Sequence, residues 1–521
     1  MISTTNADLY YVFDQGTDNL GAGRRKLAVP DEHRGKAIVR NRIGDANNLL
    51  GGSRNHFWMN NEFGYLSDRN FREQFFEREW DTEKDVETVS QANWQSDNFT
   101  ASLLARTHLF DFENTTDWLP RLDVTLLGRN IPGTPLVWSQ HSMVGYGSIS
   151  PAEAPPPGDV FSALPYFQER EGIVGMSRHE LDLPLTVGPF NLTPYVLGEA
   201  AYWQQDLTGD ELTRLYGSVG VRGSIQATKY MPNVYSEVFG LRGLAHKMIF
   251  DVDYSYSQST EPLSKIAQYN EFDEDAQERF RSRFQTLTFG GALPATFDPR
   301  LYAVRAGSAR SVTAPYHELV DDQHVVRLGW RHRLQTRVGP PQAPRIYDWM
   351  TLDLEASLFP DAVRDNFGET VGLISARYAW NVGPQTSFLA STTFDLFDPG
   401  QFIWDVGVLS RRTERGSIYV GLRGLDAGPI ESALLVASAS YQASEKWSFT
   451  LGTSYDIRER IDRGQSVSLT RLGEYMIFTA GIGIDRSRDN YSIAFSVEPR
   501  FGRTRTGTNS RQLNQLLGGA R

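Results

Sequence analysis

Along 348–359, Met350, Leu352, Leu354, Ala356 and Leu358 alternate with Thr351, Asp353, Glu355 and Ser357. Successive side chains of a β-strand point to opposite faces, so this spacing predicts a strand with one apolar and one charged face. A helix would scatter the same residues around its circumference. After the connection PDAVRDNFGET the alternation returns as Ile374, Ala376, Tyr378 and Trp380. It returns again as Phe388, Ala390, Thr392, Phe394 and Leu396. An especially clean run is Phe99, Ala101, Leu103, Ala105, Thr107 and Leu109, with Thr100, Ser102, Arg106 and His108 opposite.

The same device accounts for most of the chain. Strands are expected near 57–65, 122–128, 136–149, 173–185, 192–203, 215–225 and 248–256, and at short intervals from 325 to 501. The first 50 residues hold only short strand candidates, at 9–13 and 36–43. In SDRNFREQFFEREWD, Asp68 is placed to cap a short helical turn. The Pro-rich SPAEAPPPGD and the residues after it, to Glu171, form a loop. Residues 260–322 are the one long interruption, and a connection of that length usually carries function. Its aromatics, Tyr269, Phe272, Phe280 and Phe284, predict a loop folded over or into the structure rather than hanging in water. The organisation expected is an N-terminal remnant over 1–52, a β-rich body over 53–501 containing the long loop 260–322, and a polar tail over 502–521.

Composition says what the apolar face meets. Aromatics make up 12% of 521 residues, yet mean hydropathy is only -0.40. A transmembrane barrel has this signature, because every second residue faces lipid and the others face water. No run approaches the ~18 apolar residues of a membrane-spanning helix. The fold class expected is therefore all-β, a large antiparallel transmembrane β-barrel of outer-membrane type with roughly 22–26 strands, closed because open edges are not tolerated in lipid. Its place would be the outer membrane of a Gram-negative-type bacterium. The start of the chain lacks the basic and apolar regions of a secretory signal, so it is expected to begin downstream of a natural N-terminus. Cysteine is absent, which removes disulfides, thiolate metal sites and Cys nucleophiles. A net charge of -11 without a basic run argues against nucleic acid.

Four blocks carry a resemblance: GYLSDRNFREQFFEREWDTEKD (64–85), LPLTVGPFNLTPYVLGEAAYW (183–203), GLAHKMIFDVDY (243–254) and DWMTLDLEASLFPDAVRDNFGE (348–369). Together they resemble the barrel of the lipopolysaccharide-assembly outer-membrane protein family LptD, also called organic solvent tolerance protein OstA, in a divergent branch. The likeness spans about residues 50 to 501, and SDRNF is its most distinctive part. The resemblance implies a barrel that receives lipopolysaccharide, or a similar anionic glycolipid, from a periplasmic bridge. It implies an LptE-like plug lipoprotein inside the barrel and a lateral opening between the first and last strands. The family's N-terminal jelly-roll domain and the cysteines that join it to the barrel are missing here.

Arg327, Arg331, Arg333 and Arg337 share one parity, expected to face the lumen beside Asp353 and Glu355. Guanidiniums in a row suit an anionic head group. They equally suit pairing with those two carboxylates on the next strand. Tyr491, Ile493, Phe495, Val497 and Pro499 of the last strand are the candidates for a lateral seam; Pro499 removes one ladder donor there, as befits a seam or a strand end. Trp330, Tyr378, Trp380, Trp404, Trp447 and Tyr455 are candidates for the aromatic girdles at the two membrane interfaces. The acidic run 271–278 lacks the spacing of a calcium loop, and a solvated loop explains it better. Gly217, Gly220 and Gly223 lack the Lys-Ser/Thr of a phosphate loop. No triad, carboxylate pair or metal cluster stands out, so neither catalysis nor a cofactor is expected. Beside a lipid-translocating barrel stand two alternatives: a porin-like channel or receptor barrel, and a soluble all-β binding protein.

Overall fold

The computed structural model describes residues 2–21, 24–44, 55–155, 159, 164–270, 293–340, 342–382, 385–413, 415–428, 430–486 and 489–499. Twenty-three strands form one antiparallel sheet. Strand β1 (Ile2–Phe13) pairs with β4 (His33–Gly44), and the small hairpin of β2 (Thr17–Asn19) and β3 (Arg25–Ala28) lies in the connection between them. Each strand from β4 pairs with the next: β5 (Asn55–Leu66), β6 (Thr88–Ser96), β7 (Phe99–Thr107), β8 (Thr115–Asn130), β9 (Val137–Ser150) and β10 (Arg170–Asp182).

The three-residue β11 (Leu185–Val187) continues β10 along β12 (Phe190–Trp203), so the two act as one interrupted strand. The meander goes on through β13 (Leu212–Ser236), β14 (Leu241–Ser259), β15 (Gln323–Val338), β16 (Arg345–Leu358), β17 (Val371–Val382) and β18 (Thr386–Phe394). It ends with β19 (Gln401–Thr413), β20 (Gly416–Ala427), β21 (Ile430–Gln442), β22 (Trp447–Asp456), β23 (Ile461–Leu472), β24 (Met476–Asp485) and β25 (Asn490–Pro499).

Side chains are distributed inside out. Along β12, Tyr195, Leu197, Glu199, Ala201 and Trp203 are buried, while Val196 is 54% exposed. Along β13, Arg214 is fully buried and its neighbour Leu215 is 56% exposed. A water-soluble protein would not hide arginines and display a continuous band of Leu, Val and Phe. Lipid outside and a polar lumen inside make the pattern favourable, with the backbone of each interior strand satisfied by its two neighbours. The chain is an outer-membrane β-barrel. Among the described residues no helix is long and apolar enough to cross a membrane.

The sheet begins well before residue 53. β1 and β4 form twelve consecutive pairs, from Ile2 opposite Gly44 to Phe13 opposite His33. The candidates at 9–13 and 36–43 are parts of these two strands; the first half of β1 escapes sequence reading because Ser3, Thr4, Thr5 and Asn6 show no alternation, although threonine fits a strand well. The tail 502–521 and the acidic run 271–278, with Phe272, Phe280 and Phe284, lie outside the described residues.

The two ends of the barrel differ. At one, the connections are long: 14–32, 67–87, 151–169 and 260–322. At the other the turns are short, as between β19 and β20 or β23 and β24. The long-connection end carries an ionic knot built from SDRNF. Asp68 and Asp18 both bind Arg34, which is fully buried, and Glu73 binds Arg24 at 2.6 Å. The knot also holds the edge strand, since Asp14 reaches Arg34 at 2.9 Å and Asp8 reaches Lys36 at 2.7 Å. Asn70, rather than Asp68, occupies the cap position of the helix Phe71–Phe75; Asp68 accepts from the Asn70 N–H.

Candidate functional site

The lumen is the first part of the site. Arg327, Arg331 and Arg333 face inward with Asp251 and Asp253 of β14 and Asp353 of β16, as the ladder registers require. Arg333 forks onto Asp353 at 2.7 and 3.0 Å. Arg331 lies 3.5 Å from Asp251, and Arg327 donates to Gln323 at 3.0 Å beneath Gly307. Gly307 has φ +77, and a Cβ there would meet the Arg327 guanidinium at 2.6 Å. Arg337 lies near the strand end, beyond an irregularity at Leu334/Gln335 that sets Trp349 out of register. Glu355 is exposed, opposite Gly329 and Ser375. The structure thus brings Arg333 and Asp353 together and leaves Glu355 and Arg337 apart from them.

A second cluster was not visible in the sequence. Glu199, fully buried, accepts from Arg178 Nε and Arg214 Nη2, both at 2.6 Å. The two guanidiniums then donate to backbone carbonyls of the long connection: Arg178 to Ala309 and Ser311, Arg214 to His317 and Glu318. These bonds latch 293–322 inside the barrel. Tyr269, Ile266 and Ala267 are also fully buried and pack with Trp118, Met176 and Trp203. Arg178 shares the parity of Val174 and Met176, so its segment reads as an ordinary mixed face; only the loop in space marks it out.

His317 and Glu318 sit at the centre of this latch with no exposed surface. Burial holds the His317 imidazole well below its ordinary value, and the nearby positive charges of Arg214, Arg178, Arg121 and His141 push the same way. The ring stacks on Trp203 at 5.7 Å. Burial raises the Glu318 carboxyl, while Asn270, donating at 2.7 and 2.8 Å, pulls it back.

The second part of the site is the seam. Tyr491, Ile493, Phe495 and Val497 lie opposite Ile484, Ile482, Ala480 and Phe478 of β24. Ile493 is 85% exposed and Phe495 68%. On β1, Leu9 is 70% exposed. Among the described residues no ladder joins β1 to β25, so the meander has two free edges. Pro499 closes β25 opposite Met476.

No known protein family and no curated protein matches this chain. Among solved structures it is similar to an engineered protein studied for asymmetric conductivity, at 10% identity over 70% of this chain and 98% of that one, TM-score 0.23. It is also similar to a mutant of the Rh. blastica porin, at 12% identity over 63% and 91%, TM-score 0.23. A third is the unliganded ferric citrate transporter FecA, at 8% identity over 95% and 70%, TM-score 0.29. Superpositions this loose carry no weight; the ladder registers and the inverted side-chain distribution establish the barrel.

The aromatic candidates divide. Trp380 and Trp447 stand at the short-turn end, and Tyr455 and Trp404 at the long-connection end, as interface anchors would. Trp404 lies over Gly424, where a Cβ would be 2.2 Å from its indole nitrogen. Trp330 instead sits mid-strand, stacked on Phe250 at 5.8 Å.

Proposed function

We propose that this barrel delivers an anionic glycolipid, lipopolysaccharide or a close relative, from its lumen to the outer leaflet through the seam between β1 and β25. The observation that carries this reading is the pair of unjoined edges, each bearing strongly exposed apolar side chains. A glycolipid has a charged head that must travel through water and acyl chains that must not. The head keeps to the polar lumen while the chains slip between two strands. Only a seam with few inter-strand hydrogen bonds can part, because each unsatisfied backbone group in lipid costs several kcal/mol. Outer-membrane barrels place short turns in the periplasm and long connections outside, so the ionic knot and the described parts of the long connection, 260–270 and 293–322, belong to the extracellular end. An LptE-like plug lipoprotein and a periplasmic bridge are partners in this scheme.

The test pairs cysteines at Leu9 and Ile493, in a chain with no others, and joins them with thiol crosslinkers of increasing span. Surface appearance of the glycolipid should stop with short linkers and recover with long ones. Delivery at the normal rate through a locked seam would sink the lateral-exit mechanism. A solute channel or receptor barrel is the second reading, favoured by the loop packed inside the lumen. Under that reading, deleting 293–318 raises permeability to bulky solutes while the seam lock changes nothing.

A further inference from the structure

At the short-turn end, the ends of β19, β20, β21 and β22 border a cavity of about 800 Å³, with Gln385 beside them. Arg411, Arg415, Ser417, Ser440, Gln442 and Ser448 line it, and among the described residues no carboxylate does. Neither arginine makes an ion pair among the described residues, and both are exposed to the cavity. Their backbones are fixed: the Arg411 N–H donates to Gln385, and the Gln442 N–H donates to the Arg415 carbonyl at 2.6 Å. Ser417 and Ser440 are bonded to each other at 2.8 Å on the inward face. Glu445, on the neighbouring turn, does not line the cavity, and Glu414 lies outside the described residues.

Two guanidiniums lining one cavity with no counter-charge among the described residues repel, and an anion relieves both. The planar Arg fork matches phosphate, and serine hydroxyls and the Gln442 amide add donors around it. The cavity is far larger than a bare phosphate and lies within the range of small-ligand sites. It also spans the polar and apolar sides of the wall, since Tyr441 and Phe449 in its lining share the outward parity. We propose that this recess binds the phosphorylated sugar of the glycolipid at the periplasmic mouth, before the lipid enters the lumen. The assignment of the sugar rests on the function proposed above; the binding does not depend on the seam.

The experiment titrates the full chain, in a neutral maltoside detergent, with glucose 1-phosphate, inorganic phosphate and glucose. Glucose 1-phosphate should bind most tightly and glucose not at all. The double variant Arg411→Gln/Arg415→Gln should lose at least about tenfold in affinity, with the lysine pair intermediate. Arg458→Gln, which removes one positive charge at the opposite end, should lose nothing. Unchanged binding in the double variant, or an equal loss in Arg458→Gln, overturns the site. Inorganic phosphate binding as tightly as glucose 1-phosphate overturns the sugar head group and makes the ligand a free anion. Retained binding in a barrel whose locked seam still delivers lipid would refute lateral exit while upholding the recess. Heat-modifiable gel migration reports folding, and the lysine pair keeps the test valid should the glutamine pair fail to assemble.

Discussion

From β10 to β13 the inward face carries buried charges, Arg178, Glu199 and Arg214 among them, whereas from β21 to β25 it carries Ser438, Thr450, Ser454, Ser466, Thr470, Thr479, Gly481 and Ser496. The first wall cannot stand alone. Two guanidiniums share one carboxylate, so their remaining donors need acceptors, and the carbonyls of 309, 311, 317 and 318 supply them. The second wall satisfies itself with hydroxyl pairs such as Thr470 to Thr479 at 3.2 Å. The difference extends to the edges. β1 is tied through Asp8 and Asp14 to the knot at the long-connection end, and β25 has no such tie among the described residues. One side of the barrel is committed to holding its loop; the side that ends at β25 holds no loop among the described residues.

The hardest blow to this contrast is Glu199→Ala. It leaves two fully buried guanidiniums without their shared carboxylate, a change that costs about 3–5 kcal/mol. Thermal unfolding should fall steeply, and protease should reach 293–322 first. A variant as stable as the parent would mean that the charged wall is not what holds the loop. Leu354→Arg probes the outer surface instead. Leu354 faces outward mid-strand opposite Trp330 and Ala376, and an arginine there should cost roughly 2–4 kcal/mol. Refolding yield into lipid bilayers measures it, and a near-zero cost would remove Leu354 from the lipid face.

Much of this contrast was legible in advance, and the part that was not has a physical cause. Alternation at 350–358 and 99–109 located strands because lipid demands strict parity on the outward face. The inward face obeys no such rule. Val174, Met176 and Arg178 follow one another there, because each meets a different piece of the loop. Arg333 and Asp353 could be paired from the sequence since adjacent strands were already in hand. Arg178, Glu199 and the carbonyl of Ser311 could not, being joined across a connection whose path no local pattern encodes. Arg411 and Arg415 escape local pattern for the opposite reason: one lies at the end of β19 and the other in the turn after it, where parity says little.

Acidification tests the latch more gently. Packed His317 resists protonation, whereas a released His317 titrates near its ordinary 6.5. As pH falls below that value the released form binds a proton that the packed form does not, so packing loses stability. Glu318 works in the other direction: its raised carboxyl stabilises packing at low pH and loses that contribution as pH rises through the raised value. Limited proteolysis of 293–322 between about pH 7.5 and 5.5 should speed up in the parent. In His317→Gln the acceleration should vanish. If acid has the same effect on both, another group controls the loop.

The smallest effect belongs to the neutral wall, and it is the most informative about passage. Thr479→Val removes one hydroxyl facing the lumen and keeps the shape of the side chain. Its partner Thr470 lies on the adjacent strand and can turn its own hydroxyl elsewhere. The loss should therefore be that of one ordinary hydrogen bond, about 0.5–1.5 kcal/mol, with the fold intact. Glycolipid delivery should drop little, because no charge is added or stranded. Thr479→Glu gives the sharper comparison: a carboxylate on this wall repels an anionic head group moving towards β25, while the same wall passes neutral solutes as before. Surface glycolipid and neutral-solute permeability, measured on both variants, separate the two. If Thr479→Glu leaves glycolipid delivery untouched, the route does not run along β21–β25, and this wall is only a way of closing the barrel with few buried charges, Asp456 among them.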